Sequence, residues 1–283
     1  MVKKMNDGLI IINKPAGYTS HDIVNIVRKT LHTKKVGHAG TLDPDAMGVL
    51  VVAVNKATKA LQFLTAENKE YIATLKLGAS TDTMDASGTV LDEKIFHGYD
   101  NLIEVLDSFL GDSMQVPPMY SAIKINGKKL YEYAREGKEV KVDPRPIHID
   151  EIKLLKEEDD EITFRVNCSK GTYIRSLCFD IAKKLGYPGY MKTLIRSRSG
   201  DFDLSQGCTL DELKEGHYKM IALKDAFASM DHYILEDESI ALNGKRINES
   251  YDHNIAVFNK KGDILAIYGP DGAGRMKSLR GLF

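Results

Sequence analysis

The residues best suited to chemistry sit together in Gly37-His38-Ala39-Gly40-Thr41-Leu42-Asp43-Pro44-Asp45-Ala46-Met47-Gly48. This glycine-rich stretch leads straight into the apolar run 48–54, GVLVVAV. A carboxylate just ahead of a buried strand is anchored on rigid structure and still faces a cleft, which is what a nucleophile or general base requires. Asp43 and Asp45 together also admit a glycosidase-type acid pair, although two residues apart on a loop fix no separation. The plainer alternative makes Asp43-Pro44 a turn and His38 a hydrogen-bonding partner within its own loop.

A second chemical signal is local positive charge. Residues 168–198 hold seven Lys or Arg against Asp180 alone, while the whole chain carries a net charge of −1. Residues 113–148 add seven more, Lys124, Lys128 and Lys129 among them, against four acids. Tyr120, Tyr131, Tyr133, Tyr173, Tyr187 and Tyr190 are interleaved with them. Cations neutralise phosphates and aromatic rings stack on unpaired bases, so the combination suits structured RNA with exposed loop nucleotides. The same residues also fit a solvated helix face, with Lys183 and Lys184 as ordinary C-terminal helix residues.

Other chemistries have no sequence behind them. Neither a Gly-x-Gly-x-x-Gly nor a Gly-Lys-Ser/Thr phosphate loop occurs, and no cluster has metal-ligand spacing, so neither a nucleotide cofactor nor a metal is expected. Cys168, Cys178 and Cys208 form no CxxC pair, which reads as a reduced, cytoplasmic setting. The apolar stretch after Met1–Asp7 is too short for a signal peptide or a span, so no membrane association is expected. A composition of 43% hydrophobic and 28% charged residues is that of an ordinary globular chain.

The elements that must position these groups alternate without a fixed repeat. Residues 8–12 read as a buried strand, and a helix starts at Ser20 with Ile23, Val24, Val27 and Leu31 on one face and Thr19 or Ser20 as N-cap. Residues 37–47 read as a loop, 48–54 as a strand, 56–65 as a helix and 70–77 as a half-buried strand. A helix capped by Asp100 and stopped by Gly111 follows, then a short helix over 128–136. Strands are expected at 146–155 and 162–168, a helix at 172–185, a strand at 190–202 and a capping box at Thr209–Glu212. After Met230 short strands at 233–236, 255–258 and 264–268, with a hairpin signal at Asn259–Gly262, predict a small β unit. The expected class is α+β with a mixed, mostly antiparallel central sheet flanked by helices.

The motifs resemble, in order along nearly the whole chain, the bacterial TruB family of tRNA pseudouridine synthases. Asn13-Lys14-Pro15-x-Gly17-x-Thr19-Ser20 is similar to its first motif, with Asn13 where the family usually has Asp. Gly37-His38-x-Gly40-x-Leu42-Asp43-Pro44 is similar to its signature, and Lys69-Glu70-Tyr71 to the motif with an active-site tyrosine. Pro117-Pro118-Met119-Tyr120-Ser121-Ala122-x-Lys124 with Gly127–Tyr131, and Ser169-Lys170-Gly171-Thr172-Tyr173-Ile174-Arg175, complete the match. The resemblance implies the pseudouridine synthase fold, a catalytic domain over 1–230 and a small PUA-like domain over 231–283, matched only loosely.

It also implies a function. The chain would turn the TΨC-loop uridine of tRNA into pseudouridine, flipping the nucleotide out of its stack. Asp43, Tyr71 and Arg175 would be catalytic, with Arg175 keeping the Asp43 carboxylate ionised and aimed. Lys14, His38, Tyr173 and Leu194 would bind the substrate nucleotide, Lys124, Lys128, Lys129 and Arg196 would bind RNA, and Leu194 and Arg196 fall where the family has a leucine and an arginine lining the pocket. The isomerisation loses no atom and changes no oxidation state, so it needs no cofactor. The partner would be the tRNA T-arm, with no obligate protein partner and a monomeric enzyme. Two rivals stay open: an RNA-binding module without catalysis, and a base-removing hydrolase working through Asp43 and Asp45.

Overall fold

The computed structural model describes residues 7–65, 68–138 and 140–283; residues 1–6, at the start of the segment weighed above as a leader, lie outside them. The chain divides into two compact units, one of residues 1–44, 48–66 and 201–283, the other of 45–47 and 67–200.

In the first unit the strand Met47–Val54 pairs antiparallel with Gly8–Lys14, from Gly8 opposite Val54 to Lys14 opposite Gly48. It also pairs with Val36–Ala39, so the segment expected as a loop from residue 37 begins as a strand. Both faces of this layer are covered, which is why its sequence is a nearly unbroken apolar run. Leu9, Ile11, Val49 and Val51 enter one buried cluster, and Ile10, Ile12, Leu50 and Val52 enter another with Ile23, Val24 and Val27 of the helix Ser20–Thr30. Thr19 caps that helix: its side chain accepts the Asp22 N–H at 3.0 Å, and Asp22 accepts the Thr19 N–H at 2.8 Å. The free edge of Gly8–Lys14 is covered by the return of the chain. Asn13 donates to the Cys208 carbonyl and Leu9 to the Ile221 carbonyl, each at 2.8 Å.

The tail forms a four-stranded sheet of His232–Leu235, Ile255–Asn259, Ile264–Pro270 and Met276–Gly281. Its first pair is parallel and the other two antiparallel. Gly262, at φ 78°, makes the expected hairpin turn, and Asn259 Oδ1 accepts the Lys261 and Asp263 N–H groups across it. One face has a core of its own around Ile255, Val257, Leu265 and Tyr268. Ala256, Ile267 and Leu282 join the cluster of Leu9 and Val51, so the tail and the amino-terminal strands share one apolar core.

The second unit is an antiparallel sheet in the order Gly189–Ser199, Lys69–Leu77, Glu161–Cys168, Arg145–Glu158, Gly111–Gln115. The helix expected over 172–185 spans Ile174–Lys184 and joins the two strands that flank Lys69–Leu77. Cys168 lies opposite Lys69 and Gly189 opposite Leu77. The helix therefore starts at the Tyr71 end of the central strand and finishes at the Leu77 end. It lies close on the sheet because Gly189 has no side chain: a Cβ there would come 2.3 Å from Ala182 Cβ and 3.1 Å from Leu75 Cδ1.

Three expectations shift. The helix after Asp100 spans Leu102–Asp107, and Asn101, in the left-handed region, precedes it with no side-chain cap. Gly111 opens a strand that polar Gly111-Asp-Ser-Met-Gln115 does not advertise. The helix over 128–136 begins only at Leu130, because Lys128–Lys129 pairs with Lys124–Ile125 as a small hairpin. Asn126 at φ 51° and Gly127 at φ 81° supply the two left-handed residues that such a two-residue turn demands.

On the exposed face of the second unit, His148 Nδ1 meets Asp112 at 2.7 Å across paired strands, and this bond raises the histidine above its ordinary value of 6.5. A raised folded value means that the pair's contribution is fully present below the unfolded histidine value and is lost as pH rises through the folded one. We predict an NMR titration midpoint for His148 above 6.5, brought down by Asp112→Asn. An unchanged midpoint in that variant would show that the pair does not form.

Candidate active site

Asp43 lies in the loop of residues 40–46 that joins Val36–Ala39 to Met47–Val54. The backbone on both sides of it is fastened. Before it, the buried Ser20 hydroxyl donates to the Leu42 carbonyl at 3.1 Å and accepts the Leu42 N–H at 2.9 Å. After it, the Pro44 carbonyl accepts both the Lys14 ammonium at 2.8 Å and the Gly17 N–H at 3.0 Å. Lys14 also donates to the Pro15 carbonyl at 3.0 Å and is only 1% exposed. A buried ammonium must direct its protons at acceptors, and the carbonyls of Pro15 and Pro44 are two of them. Leu42 and Ala46 anchor the same loop in the core, and Asp43 between them is half-buried. His38, on the strand that leads into the loop, sits opposite Val52.

In the second unit, the sheet places three of the expected residues side by side. Tyr71 is opposite Arg196, and Ala73 opposite Leu194, so all four share one face. Leu75 is on that face too, so this is the face the helix Ile174–Lys184 covers, and its first turn carries Arg175 at the Tyr71 end. Arg196 is 1% exposed and Leu194 7%. Arg196, expected both as an RNA contact and as pocket lining with Leu194, is thus buried beside Tyr71 rather than exposed as a surface cation.

Arg175 is 5% exposed and held by segments distant in sequence. Its guanidinium donates to the Thr83 carbonyl at 3.1 Å and the Tyr120 carbonyl at 2.9 Å, with Asp85 at 3.5 Å. Asp85 is itself fixed by Thr83 Oγ1 at 2.7 Å and Ser87 Oγ at 2.6 Å, and Asp82 accepts the Thr89 N–H at 2.7 Å and the Tyr120 hydroxyl at 3.2 Å. Burial, then the Asp82 charge, pushes the Tyr120 hydroxyl up from 10.0 and keeps it a donor. A Cβ on Gly88 would come 2.4 Å from Thr83 Oγ1, so this turn closes only around glycine. Gln115 fixes the start of the Arg175 helix. Its amide donates to the Tyr173 carbonyl at 3.0 Å and accepts the Tyr173 N–H at 2.8 Å, while Ser176 donates to the Val116 carbonyl at 2.9 Å.

Four residues that hold these groups carry no site expectation in the sequence: Ser20 beside Asp43 in the first unit, and Asp82, Asp85 and Gln115 around Tyr120 and the Arg175 helix in the second. For the turn there was a signal, Thr81-Asp-Thr-Met-Asp85-Ala-Ser-Gly88, whose side-chain oxygens and terminal glycine are those of Asx and Ser/Thr turns. Lys124, Lys128 and Lys129 stand on the small hairpin. The neighbouring tyrosines, however, have cations of their own: Lys128 lies 4.8 Å from the Tyr133 ring centre, and Lys129 and Arg135 lie 5.2 and 5.4 Å from Tyr131. These rings stiffen the basic hairpin before they meet any base.

Among solved structures, a Cbf5-Nop10-Gar1 complex has a chain that superposes with a TM-score of 0.73 at 27% identity, over 93% of this chain and 78% of that one. An archaeal box H/ACA Nop10-Cbf5 complex gives 0.74 at 22% identity, which speaks for the fold alone. The fold is that of the pseudouridine synthases. The family follows from sequence. The model of the TruB family pseudouridylate synthase N-terminal domain matches residues 28–174, and that of the tRNA pseudouridylate synthase B C-terminal domain matches 175–240. The tRNA pseudouridine synthase B of Bacillus subtilis is 43% identical over 94% of both chains. That of Caldanaerobacter subterraneus is 44% identical over 87% of this chain and 88% of its own. This chain belongs to the TruB family of pseudouridylate synthases.

Ser20→Ala removes both the acceptor of the Leu42 N–H and the donor to its carbonyl while leaving the Thr19 cap in place. Buried unpaired groups cost roughly 1–3 kcal/mol each, so unfolding in urea should show a loss of about 2 kcal/mol or more. An unchanged midpoint and slope would mean that the clamp adds nothing.

Proposed function

We propose that this protein isomerises uridine 55 in the TΨC loop of tRNA to pseudouridine; its relatives carry the name tRNA pseudouridine synthase B. The observation that carries the reading is the doubly fastened backbone around Asp43 in a chain of this family. A carboxylate with that support is preorganised for work on one nucleotide. In this reading the N1–C1′ bond of the uridine breaks, the uracil turns, and C5 bonds to C1′. The C5 proton leaves and N1 gains one, so no atom is lost and no electron acceptor is required. Asp43 initiates the reaction and Arg175 keeps it charged. Tyr71 stacks on the uracil from the sheet and relays a proton.

The remaining roles divide by exposure. His38 fills the stack vacated by the flipped base, Tyr173 and Leu194 border the nucleotide, and Lys14 serves it by holding the loop. Lys124, Lys128 and Lys129 take T-arm phosphates, whereas Arg196 acts from the floor beside Tyr71. The tail from residue 231 serves as a small PUA-like module on the RNA. The enzyme works alone, as a monomer, in the cytoplasm. Among the described residues no helix is long and apolar enough to cross a membrane.

The test uses unmodified tRNA tritiated at uridine C5. Tritium is released by the wild type without free uracil, and Asp43→Asn lowers the rate by roughly a thousandfold or more while tRNA binding survives. Free uracil would make the protein a hydrolase, and binding without tritium release would leave only an RNA-binding module.

A further inference from the structure

The helix Ile174–Lys184 carries Arg175 in its first turn but does not itself fix where that turn begins. A helix leaves its first four N–H groups without intrahelical partners, and a capping side chain commonly takes one of them and sets the entry angle. The helix Ser20–Thr30 has such a cap in Thr19, with Asp22 bonding back to it. Tyr173, at the corresponding position before Ile174, makes no side-chain cap, and no acid stands in the first turn. The start of the Arg175 helix is therefore set from outside.

One segment, residues 115–120, supplies the hold. Gln115, 58 residues earlier in the chain, takes both backbone groups of Tyr173: it accepts the N–H at 2.8 Å and donates to the carbonyl at 3.0 Å. The Val116 carbonyl accepts the Ser176 hydroxyl at 2.9 Å, and the Tyr120 carbonyl accepts the Arg175 guanidinium at 2.9 Å. Tyr173, Arg175 and Ser176 are thus all braced by one short stretch. Between its contacts lie Pro117 and Pro118, both buried, whose rings fix φ and stiffen the link. Gln115 itself is only 4% exposed, whereas Asp112, Ser113 and Met114 of the same strand are exposed. Burying an amide is costly unless it finds partners for its donor and acceptor, and Tyr173 offers one of each.

We propose, on the reading that this protein isomerises a tRNA uridine, that Gln115 is a positioning residue for that reaction. Its two-bond clamp on Tyr173 sets where the Arg175 guanidinium stands, so that losing the clamp slows the isomerisation without weakening the binding of tRNA. Gln115 acts through the helix and not on the nucleotide. A shift of about 1 Å in a group that serves the reaction can cost on the order of a hundredfold in rate. Arg175 keeps its bonds to the Thr83 and Tyr120 carbonyls when Gln115 is replaced, so the loss is partial rather than complete.

Two variants separate this role from a merely structural one. Gln115→Met keeps the length of the side chain and removes both bonds. Gln115→Glu keeps the shape and, when protonated, both bonds: its O–H donates to the Tyr173 carbonyl and its other oxygen accepts the N–H. Once ionised it sets a negative oxygen against that carbonyl. Burial favours the protonated form, and Arg145, opposite position 115 on the paired strand, favours the ionised one. Single-turnover tritium release and tRNA affinity are measured for the wild type and both variants across the pH range in which the wild type works, with a circular-dichroism melt to confirm folding. Gln115→Met should release tritium about tenfold or more slowly at every pH while its affinity for tRNA stays that of the wild type. The rate of Gln115→Glu, divided by that of the wild type at the same pH, should rise as pH falls. A role in stability alone would lower the melting temperature and leave that ratio flat. Release by Gln115→Met at the wild-type rate, a loss of affinity that accounts for its slower release, or a flat ratio for Gln115→Glu overturns the proposal. Absence of tritium release from the wild type contradicts the isomerase reading, and this role with it, whereas full release by Gln115→Met contradicts this role alone.

Discussion

A buried lysine ammonium that finds its partners in backbone carbonyls is the interaction on which the site depends. Lys14 ends the strand Gly8–Lys14 at a point where its charge cannot reach water, and it donates to the carbonyls of Pro15 and Pro44. Removing the ammonium would take a donor from both carbonyls, and moving either carbonyl would cost the buried charge a partner. The geometry is therefore stiff in both directions. Together with the Ser20 hydroxyl on Leu42, it turns a glycine-rich loop that would otherwise wander into a fixed support for Asp43. Gly17 and Gly40, at φ 82° and 86°, make the sharp turns that bring these segments together.

The second unit solves a parallel problem with different parts. A charged guanidinium near-buried at the first turn of a helix must be neutralised and aimed, and two carbonyls with the Asp85 carboxylate do this. The carboxylate belongs to a turn whose own side chains close on it, and Gln115 sets where the helix begins. Antiparallel register does the rest by setting Tyr71 beside Arg196 on the face that the Arg175 helix covers. Preorganisation of this kind shifts the cost of ordering from the reaction to folding.

Much of this could be read from the chain and some could not. Runs buried on both faces, such as Met47–Val54, and helices with explicit caps, such as Ser20–Thr30, stand out because local pattern and tertiary role agree. Asp43 drew notice by its glycine-rich setting, and Lys14 only through the resemblance. The strands Gly111–Gln115 and Met276–Gly281 were missed because their side chains are largely polar or exposed, and their partners make them strands. Asp85 and Gln115 were missed because their partners lie about 90 and 58 residues away, respectively, a separation that periodicity does not register. Among the tyrosines interleaved with the lysines, Tyr131 and Tyr133 have lysines turned onto their rings, a contact that spacing along the chain does not show.

The claim that the loop around Asp43 is held as firmly as the sheet has a direct measure in amide hydrogen exchange at Leu42. Its N–H is buried and bonded to Ser20 Oγ at 2.9 Å. Protection of the Leu42 amide should be comparable to that of Val49–Val52 in the adjoining strand, and should be lost in Ser20→Ala while the strand stays protected. Exchange of Leu42 at the rate of an open loop in the native protein would contradict it.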